Sequence, residues 1–133
     1  MNRRTVLRSL MAAALTPALA VPGAQAQILQ EDLVGPSSPL AAPWAAWKAA
    51  YLDDSGRVVD QLQQGASHSE SQGYGLLLAA IFGDDPVFDQ IYRWTETNLA
   101  VRSDALLAWR WLPEGAGRVP DRNNASDGDL FYA

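Results

Sequence analysis

Two short stretches of this 133-residue chain concentrate the side chains that acid–base chemistry needs. In Ser69-Glu70-Ser71-Gln72-Gly73-Tyr74-Gly75 a carboxyl group sits among small polar residues, with two glycines inside an otherwise helical pattern. Each such glycine costs a helix about 1 kcal/mol relative to alanine, so close approach of the backbone to a neighbour or ligand is the expected reason for it. In Asn123-Asn124-Ala125-Ser126-Asp127-Gly128-Asp129 two carboxylates flank a glycine where a helix is predicted to begin. Such a cluster can hold a sugar hydroxyl, grip a calcium ion or simply finish a helix N-terminus. A calcium loop needs more oxygens in register and an acidic ligand further on, so no metal site and no cofactor is expected. The third set is aromatic: Trp109 and Trp111 alternate with Arg110. Tryptophan is most often a core residue, yet its flat face is also what the apolar C–H face of a pyranose stacks on. Together the three sets suggest a carbohydrate cleft.

Local spacing alone gives Glu70 a plainer role. Ser67 lies three residues before it, which is the spacing of a capping box in which the glutamate closes back on the N-cap amide. The helix dipole also favours the ionised form of a carboxyl in the first turn, opposite to what a proton donor requires. A working acid there needs burial or neighbouring carboxylates to outweigh the dipole.

The elements that must position these residues read as helices. Pro43 suits a first turn, and Trp44, Trp47 and Tyr51 follow at i, i+3 and i+7, a helical stripe with Lys48 off it, ended by Asp53-Asp54-Ser55-Gly56. Arg57 to Asp60 reads as a short extended segment and Gln61 to Ala66 as a polar loop. A second helix is predicted from about Ser69 to Phe82, with Leu76, Leu77, Ala80 and Ile81 as its buried face and Gly83-Asp84-Asp85 as its stop. Asp85 is expected to cap a third helix with Pro86 at its first position and Phe88, Ile91, Tyr92, Thr95 and Leu99 along its face. Ala105 to Leu112 reads as strand or extended loop, and Pro113 to Asn124 as a turn-rich connection. Ser126, with Asp129 three residues on, announces a fourth helix whose apolar face, Leu130 to Ala133, lacks a C-cap. Helices separated by alternating short and long connections look like the opening of an α/α toroid, so the chain is expected to be all-α and an incomplete, amino-terminal part of a larger fold.

Composition narrows the function classes. The formal charge is −5, and without the basic residues Arg3, Arg4 and Arg8 it becomes −8, seven basic residues against fifteen acidic ones. So acidic a surface repels phosphate backbones, and nucleic-acid binding is not expected. With no cysteine there is no disulfide framework or thiolate nucleophile, and the single histidine, His68, leaves little for a histidine-based metal site or a Ser-His-Asp triad. A carboxylate mechanism stays open. Residues 1–26 read as an export signal: a basic start, an apolar run from Leu10 to Val21 and the small-x-small Ala24-Gln25-Ala26, with cleavage expected after Ala26. The run is too short for a bilayer and is interrupted by Pro17, so no permanent membrane anchor is expected. Arg3-Arg4 followed by hydrophobics resembles a twin-arginine signal, with the ordinary secretory route as the alternative. Either route predicts a periplasmic or secreted bacterial protein. Residues 27–42 read as an extended lead-in and 43–133 as the folded domain.

Taken in order, the Glu70 and Asp127 motifs, together with Phe88-Asp89-Gln90-Ile91, Trp94-Thr95 and Ala108-Trp109-Arg110-Trp111 between them, resemble glycoside hydrolase family 8, also called cellulase family D. The similarity runs from about Trp44 to Ala133 and is strongest to periplasmic endoglucanases of bacterial cellulose-synthesis systems. The resemblance implies the amino-terminal part of an (α/α)6 barrel and inverting, endo-acting hydrolysis of β-1,4-glucan. It implies Glu70 as proton donor and Asp127 as the residue that holds the distorted sugar at the cleavage point. Tyr74, Trp109, Trp111 and Asp129 become substrate-binding residues by the same analogy. In the family the general base comes from a later Tyr-Asp segment that nothing in this chain matches, so the isolated chain is expected to be inactive, and Ser71 stands where many relatives have glycine. The partners implied are a β-glucan and the cellulose-synthesis machinery; chitosan, xylan and mixed-linkage glucan are other substrates of the family. A reading from a different class is a non-catalytic exported carbohydrate-binding or cellulose-assembly module.

Overall fold

The computed structural model describes residues 38–114 and 117–133, so the leader and most of the lead-in lie outside the described residues. In order the elements are α1 (Ala41–Tyr51), a 3-10 turn (Gln61–Gln63), β1 (Ser67–His68), α2 (Ser69–Phe82), α3 (Asp85–Asn98), β2 (Arg110–Trp111) and α4 (Ser126–Tyr132). The class is the helical one the sequence predicts. The strands are two residues each and pair antiparallel, Ser67 opposite Trp111 and His68 opposite Arg110.

Helix α1 is alanine-rich with Pro43 in its first turn. Trp44 is buried, stacked on Trp47 at 5.4 Å and on Phe82 of α2 at 5.3 Å. The expected apolar stripe leaves the core towards its end, because Tyr51 is 48% exposed. Lys48 is not idle: its Nζ reaches Asp84 Oδ2 at 2.7 Å, and Trp44 Nε1 donates to the same oxygen at 3.0 Å. Burial works against the Asp84 charge, but the donors from Lys48 and Trp44 win and hold its carboxyl below the usual range. Asp84 therefore ties α1 to the start of α3. It also occupies the N-cap position expected of Asp85, one residue earlier than predicted.

Helix α2 has the predicted bounds and stops at Gly83, which takes a left-handed conformation (φ 63°). Its buried face is rotated from the expected one. Leu76 and Ala79 are inside with Gln72 and Gly73, whereas Leu77 and Ile81 are 43% and 48% exposed and Ala80 is exposed too. Gln72 is the cause. Fully buried, its Oε1 accepts from Val58 N at 2.6 Å, and its Nε2 donates to Thr95 Oγ1 at 2.8 Å and Gly56 O at 3.3 Å. A buried amide costs free energy unless its hydrogen bonds are met, and here three partners from two other segments meet them, so this face turns inward.

The buried apolar residues form two small cores. One joins Val58, Leu76 and Ile91; the other joins Trp94, Leu99, Leu107 and Ala108. Along α3, Ile91, Thr95 and Leu99 are fully buried as their spacing predicts, with Trp94 beside them and Tyr92 42% exposed. On its other side α2 packs against α4, and the contact requires glycine at two places. A Cβ on Gly73 would lie 2.6 Å from Phe131 Cβ, and one on Gly128 would lie 2.1 Å from Ser69 Oγ and 2.9 Å from Glu70 N. The helix starts carrying Glu70 and Asp127 meet because neither glycine has a side chain to hold them apart.

Candidate functional site

Glu70 is the second residue of α2, half-buried, and its Oε1 accepts the Tyr74 hydroxyl at 2.8 Å, one helical turn on. The capping box expected between Ser67 and Glu70 does not form. Ser67 is held extended in β1 opposite Trp111, so the helix begins two residues later. His68 takes the N-cap position, and Ser71 closes the turn by accepting from His68 N at 3.2 Å and donating to His68 O at 2.9 Å. That substitution of partners releases the Glu70 carboxyl to face the surface cleft. The hydrogen bond to Glu70 is the leading reason that the Tyr74 hydroxyl is harder to ionise than an ordinary tyrosine, with some burial and the charges of Glu70 and Asp127 adding to it.

Two cavities meet at Glu70. The larger, about 340 Å³, is walled by Trp47 and Tyr51 of α1, Val58, Val59 and Asp60 of the following segment, and Ser71 and Tyr74 of α2. The smaller, about 270 Å³, is walled by Ser69, Trp109, Ala125 and Asp127. Gln63, His68 and Glu70 line both. The carboxyl thus stands on the divide of a two-part cleft, with an aromatic ring on either side.

The wall carrying Trp109 is built by backbone pairing. Ser69 N donates to Trp109 O at 3.0 Å, and Trp109 N donates to Asn123 O at 2.9 Å, which inserts the tryptophan between the starts of α2 and α4. Its ring is fixed from two sides: Nε1 donates to Asp121 Oδ2 at 2.9 Å, and the face stacks on His68 at 5.8 Å with 23° between planes. Asp121 was not singled out by the sequence; its hydrogen bonds from Asn123 and Trp109 hold its carboxyl below the usual range. His68 is also a residue that spacing does not reveal. Burial favours its neutral form, partly countered by Asp60, with Arg110 favouring the neutral form and Glu70 the charged one.

Of the expected site residues, Glu70, Asp127, Tyr74 and Trp109 come together on this cleft, and Trp111 and Asp129 do not. Trp111 packs edge-on against Trp94 at 5.4 Å, between the guanidinium groups of Arg57 at 4.8 Å and Arg118 at 5.2 Å. Strand alternation alone would place two residues at i and i+2 on one face. Here β2 holds only Arg110 and Trp111, and the rings part because Trp109 is held by Asp121 and His68 whereas Trp111 is held by Trp94, Arg57 and Arg118. Asp129 Oδ1 accepts from Leu107 N at 2.9 Å and Oδ2 from Asn124 Nδ2 at 2.8 Å, so it ties Leu107 to the start of α4 and lines neither cavity. Asp127 is exposed, with Oδ1 accepting its neighbour's Gly128 N at 2.7 Å. Among the described residues no group of three or more His, Asp or Glu side chains is placed to hold a metal ion, and no helix is long and apolar enough to cross a membrane.

A half-buried carboxyl between aromatic-walled cavities, with a second carboxylate beside it, can bind an extended sugar chain and deliver a proton at one point along it. Comparison with known proteins gives the same direction. Residues 19–133 match the profile of glycosyl hydrolases family 8. A probable endoglucanase of Novacetimonas hansenii is 50% identical over 94 residues, covering 71% of this chain and 28% of that protein. An endoglucanase of Cellulomonas uda is 34% identical over 128 residues, covering 96% of this chain and 32% of that protein. Among solved structures, an endo-β-1,4-glucanase of Acetobacter xylinum superposes with a TM-score of 0.66 at 49% identity, over 70% of this chain and 29% of that one. The chain spans about a third or less of the length of these relatives.

Proposed function

The chain belongs to the glycosyl hydrolases of family 8, whose fold is an (α/α)6 barrel of which it covers a part, and from that premise we propose that it carries the acid side of an endo-acting, inverting hydrolysis of β-1,4-glucan. Glu70 is the proton donor. Its proton passes to the glycosidic oxygen as the bond from C1 to that oxygen breaks, while a water attacks C1 from the opposite face and loses its proton to a base. Asp127 holds the sugar at the cleavage point, and Trp109 and Tyr74 present ring faces to it. The base, required roughly 6.5–9.5 Å from the acid, is not assigned to any described residue. What supports this reading above all is that Glu70 and Asp127, distant in sequence, line one cavity with Trp109.

The test is a chimera in which this chain replaces the matching segment of the Novacetimonas hansenii relative. Hydrolysis of carboxymethyl-cellulose is expected, with nearly all of it lost in Glu70→Gln; retained activity in that variant would sink the acid assignment. We extend the proposal to the place of action. The basic and apolar pattern of residues 1–26 supports export to the periplasm or beyond, where the partners would be a β-glucan and a cellulose-synthesis machinery; recovery of the chain only in the cytoplasmic fraction of a bacterial host would contradict it.

A further inference from the structure

A cavity of about 320 Å³ lies apart from the cleft, between the segment that follows α3 and the one that leads into α4. Val101, Arg102, Ser103, Asp104 and Arg122 line it, and none of them lines either part of the cleft. The two guanidinium groups are cross-tied: Arg102 Nη1 donates to Arg122 O, and Arg122 Nη1 donates to Val101 O at 3.5 Å. Arg102 is also neutralised in place. Its Nε donates to Asp104 Oδ1 at 2.9 Å and its Nη2 to Oδ2, and this pairing holds the Asp104 carboxyl down at about 2. Ala105 takes a left-handed conformation (φ 61°) that residues with a Cβ rarely adopt, and across that bend Asp104 Oδ1 also accepts Leu106 N at 3.3 Å. Arg122 has no such partner: among the described residues no carboxylate pairs with it, and the Ser103 hydroxyl makes no hydrogen bond. The cavity therefore holds two guanidinium charges against one carboxylate, a surplus of one positive charge in a chain whose formal charge is −5.

We propose that this cavity is a binding site, separate from the cleft, for a carboxylate-bearing sugar, a hexuronate. The single surplus charge suits a monoanion, and the unpaired guanidinium of Arg122 offers parallel N–H donors that fit the two oxygens of a carboxylate. The Ser103 hydroxyl adds a donor beside them. The volume exceeds what a bare ion fills and falls at the small end of the roughly 300–1,000 Å³ of ligand cavities, which suits one pyranose ring. Apart from Val101 the lining is polar, the match for a ring that carries hydroxyls around its edge. The placement also links the site to the cleft. Asp121 holds the Trp109 indole and Asn123 O accepts Trp109 N, so Arg122 sits between the two residues that fix that wall.

The experiment is NMR of the whole 133-residue chain, following backbone amide signals during titration with glucuronate, glucose and acetate at constant ionic strength. Glucuronate is expected to shift the Arg102, Ser103 and Arg122 amides along one saturation curve, glucose to leave them in place, and acetate to bind about tenfold more weakly. Arg122→Gln is expected to weaken glucuronate about tenfold, and Ser103→Asp, which puts a like charge at an exposed position of the lining, to abolish its binding. Arg93→Gln, which removes the same charge from an exposed arginine of α3 outside the cavity, is expected to bind as the unaltered chain does. Glucose shifting the same amides, or equal weakening in Arg93→Gln and Arg122→Gln, overturns the carboxylate recognition. Acetate binding as tightly as glucuronate overturns the sugar, and the absence of a saturable shift with glucuronate overturns the site.

Discussion

Replacing Gly128 with alanine tests whether the meeting of α2 and α4 builds the site. The added methyl would sit 2.1 Å from Ser69 Oγ, 2.7 Å from Ser69 Cβ and 2.9 Å from Glu70 N. The first contact can be relieved, because the Ser69 hydroxyl has no hydrogen-bond partner and can rotate away. The other two involve the α2 backbone and its Cβ, so the helix starts must part by about 0.7 Å to restore ordinary contact. Overpacking of this kind costs about 1–3 kcal/mol, offset by up to about 1 kcal/mol from the better helix propensity of alanine. A net loss of about 1–2 kcal/mol is expected in urea unfolding followed by circular dichroism. The same displacement moves Asp127 relative to Glu70, and misplacements near 1 Å can cost up to about 100-fold in rate, so the chimera should lose activity well beyond its loss of stability. Adding Ser69→Gly removes the Cβ that the methyl strikes, and the double variant should recover part of the stability, a coupling of about 1 kcal/mol. A stable, fully active Gly128→Ala protein, or strict additivity with Ser69→Gly, would refute the close approach.

Gln72→Leu strands the Val58 amide and the Gly56 carbonyl in the interior, while the Thr95 hydroxyl keeps its bond to Ile91 O; at about 1–3 kcal/mol for each unsatisfied group, less the gain from an apolar side chain, a loss of about 1–4 kcal/mol is expected from urea unfolding. His68 gives a pH signature. Burial places its folded-state pKa below the ordinary 6.5, so the neutral ring's contribution is complete above that value and is lost as pH falls through the folded pKa. The urea midpoint should therefore drop between pH 7 and pH 5 in the parent chain and drop less in His68→Asn. The lowered carboxyls of Asp53 and Asp84 titrate only below their ordinary 3.8 and leave that window clear.

What could be read from the sequence was local. The stop at Gly83, Pro86 near the start of α3 and the buried Ile91, Thr95 and Leu99 all follow from signals within one turn of where they act. The misread features depend on partners far along the chain. Ser67 has the spacing of an N-cap, but pairing with Trp111 draws it into a strand. Leu77 and Ile81 look like a core face by hydropathy, and Gln72 takes that place because Val58, Gly56 and Thr95 converge on it. For the cleft, residue types marked Glu70, Asp127 and Trp109, and the family resemblance added Tyr74; neither could separate them from Trp111 and Asp129, whose partners are Arg57, Arg118, Leu107 and Asn124. Trp47 and Tyr51 were legible as a helical stripe and not as a cavity wall, since the far wall comes from the 58–63 segment.

The claim on which the rest depends is that Glu70 protonates the leaving oxygen, and leaving-group dependence tests it most directly. An aryl cellobioside with an acidic phenol departs without help, whereas a sugar hydroxyl leaves only when protonated. In the chimera, Glu70→Gln is expected to abolish cleavage of cellotetraose while retaining a substantial fraction of the rate on dinitrophenyl cellobioside. Equal loss on both substrates, or loss on neither, would contradict the assignment.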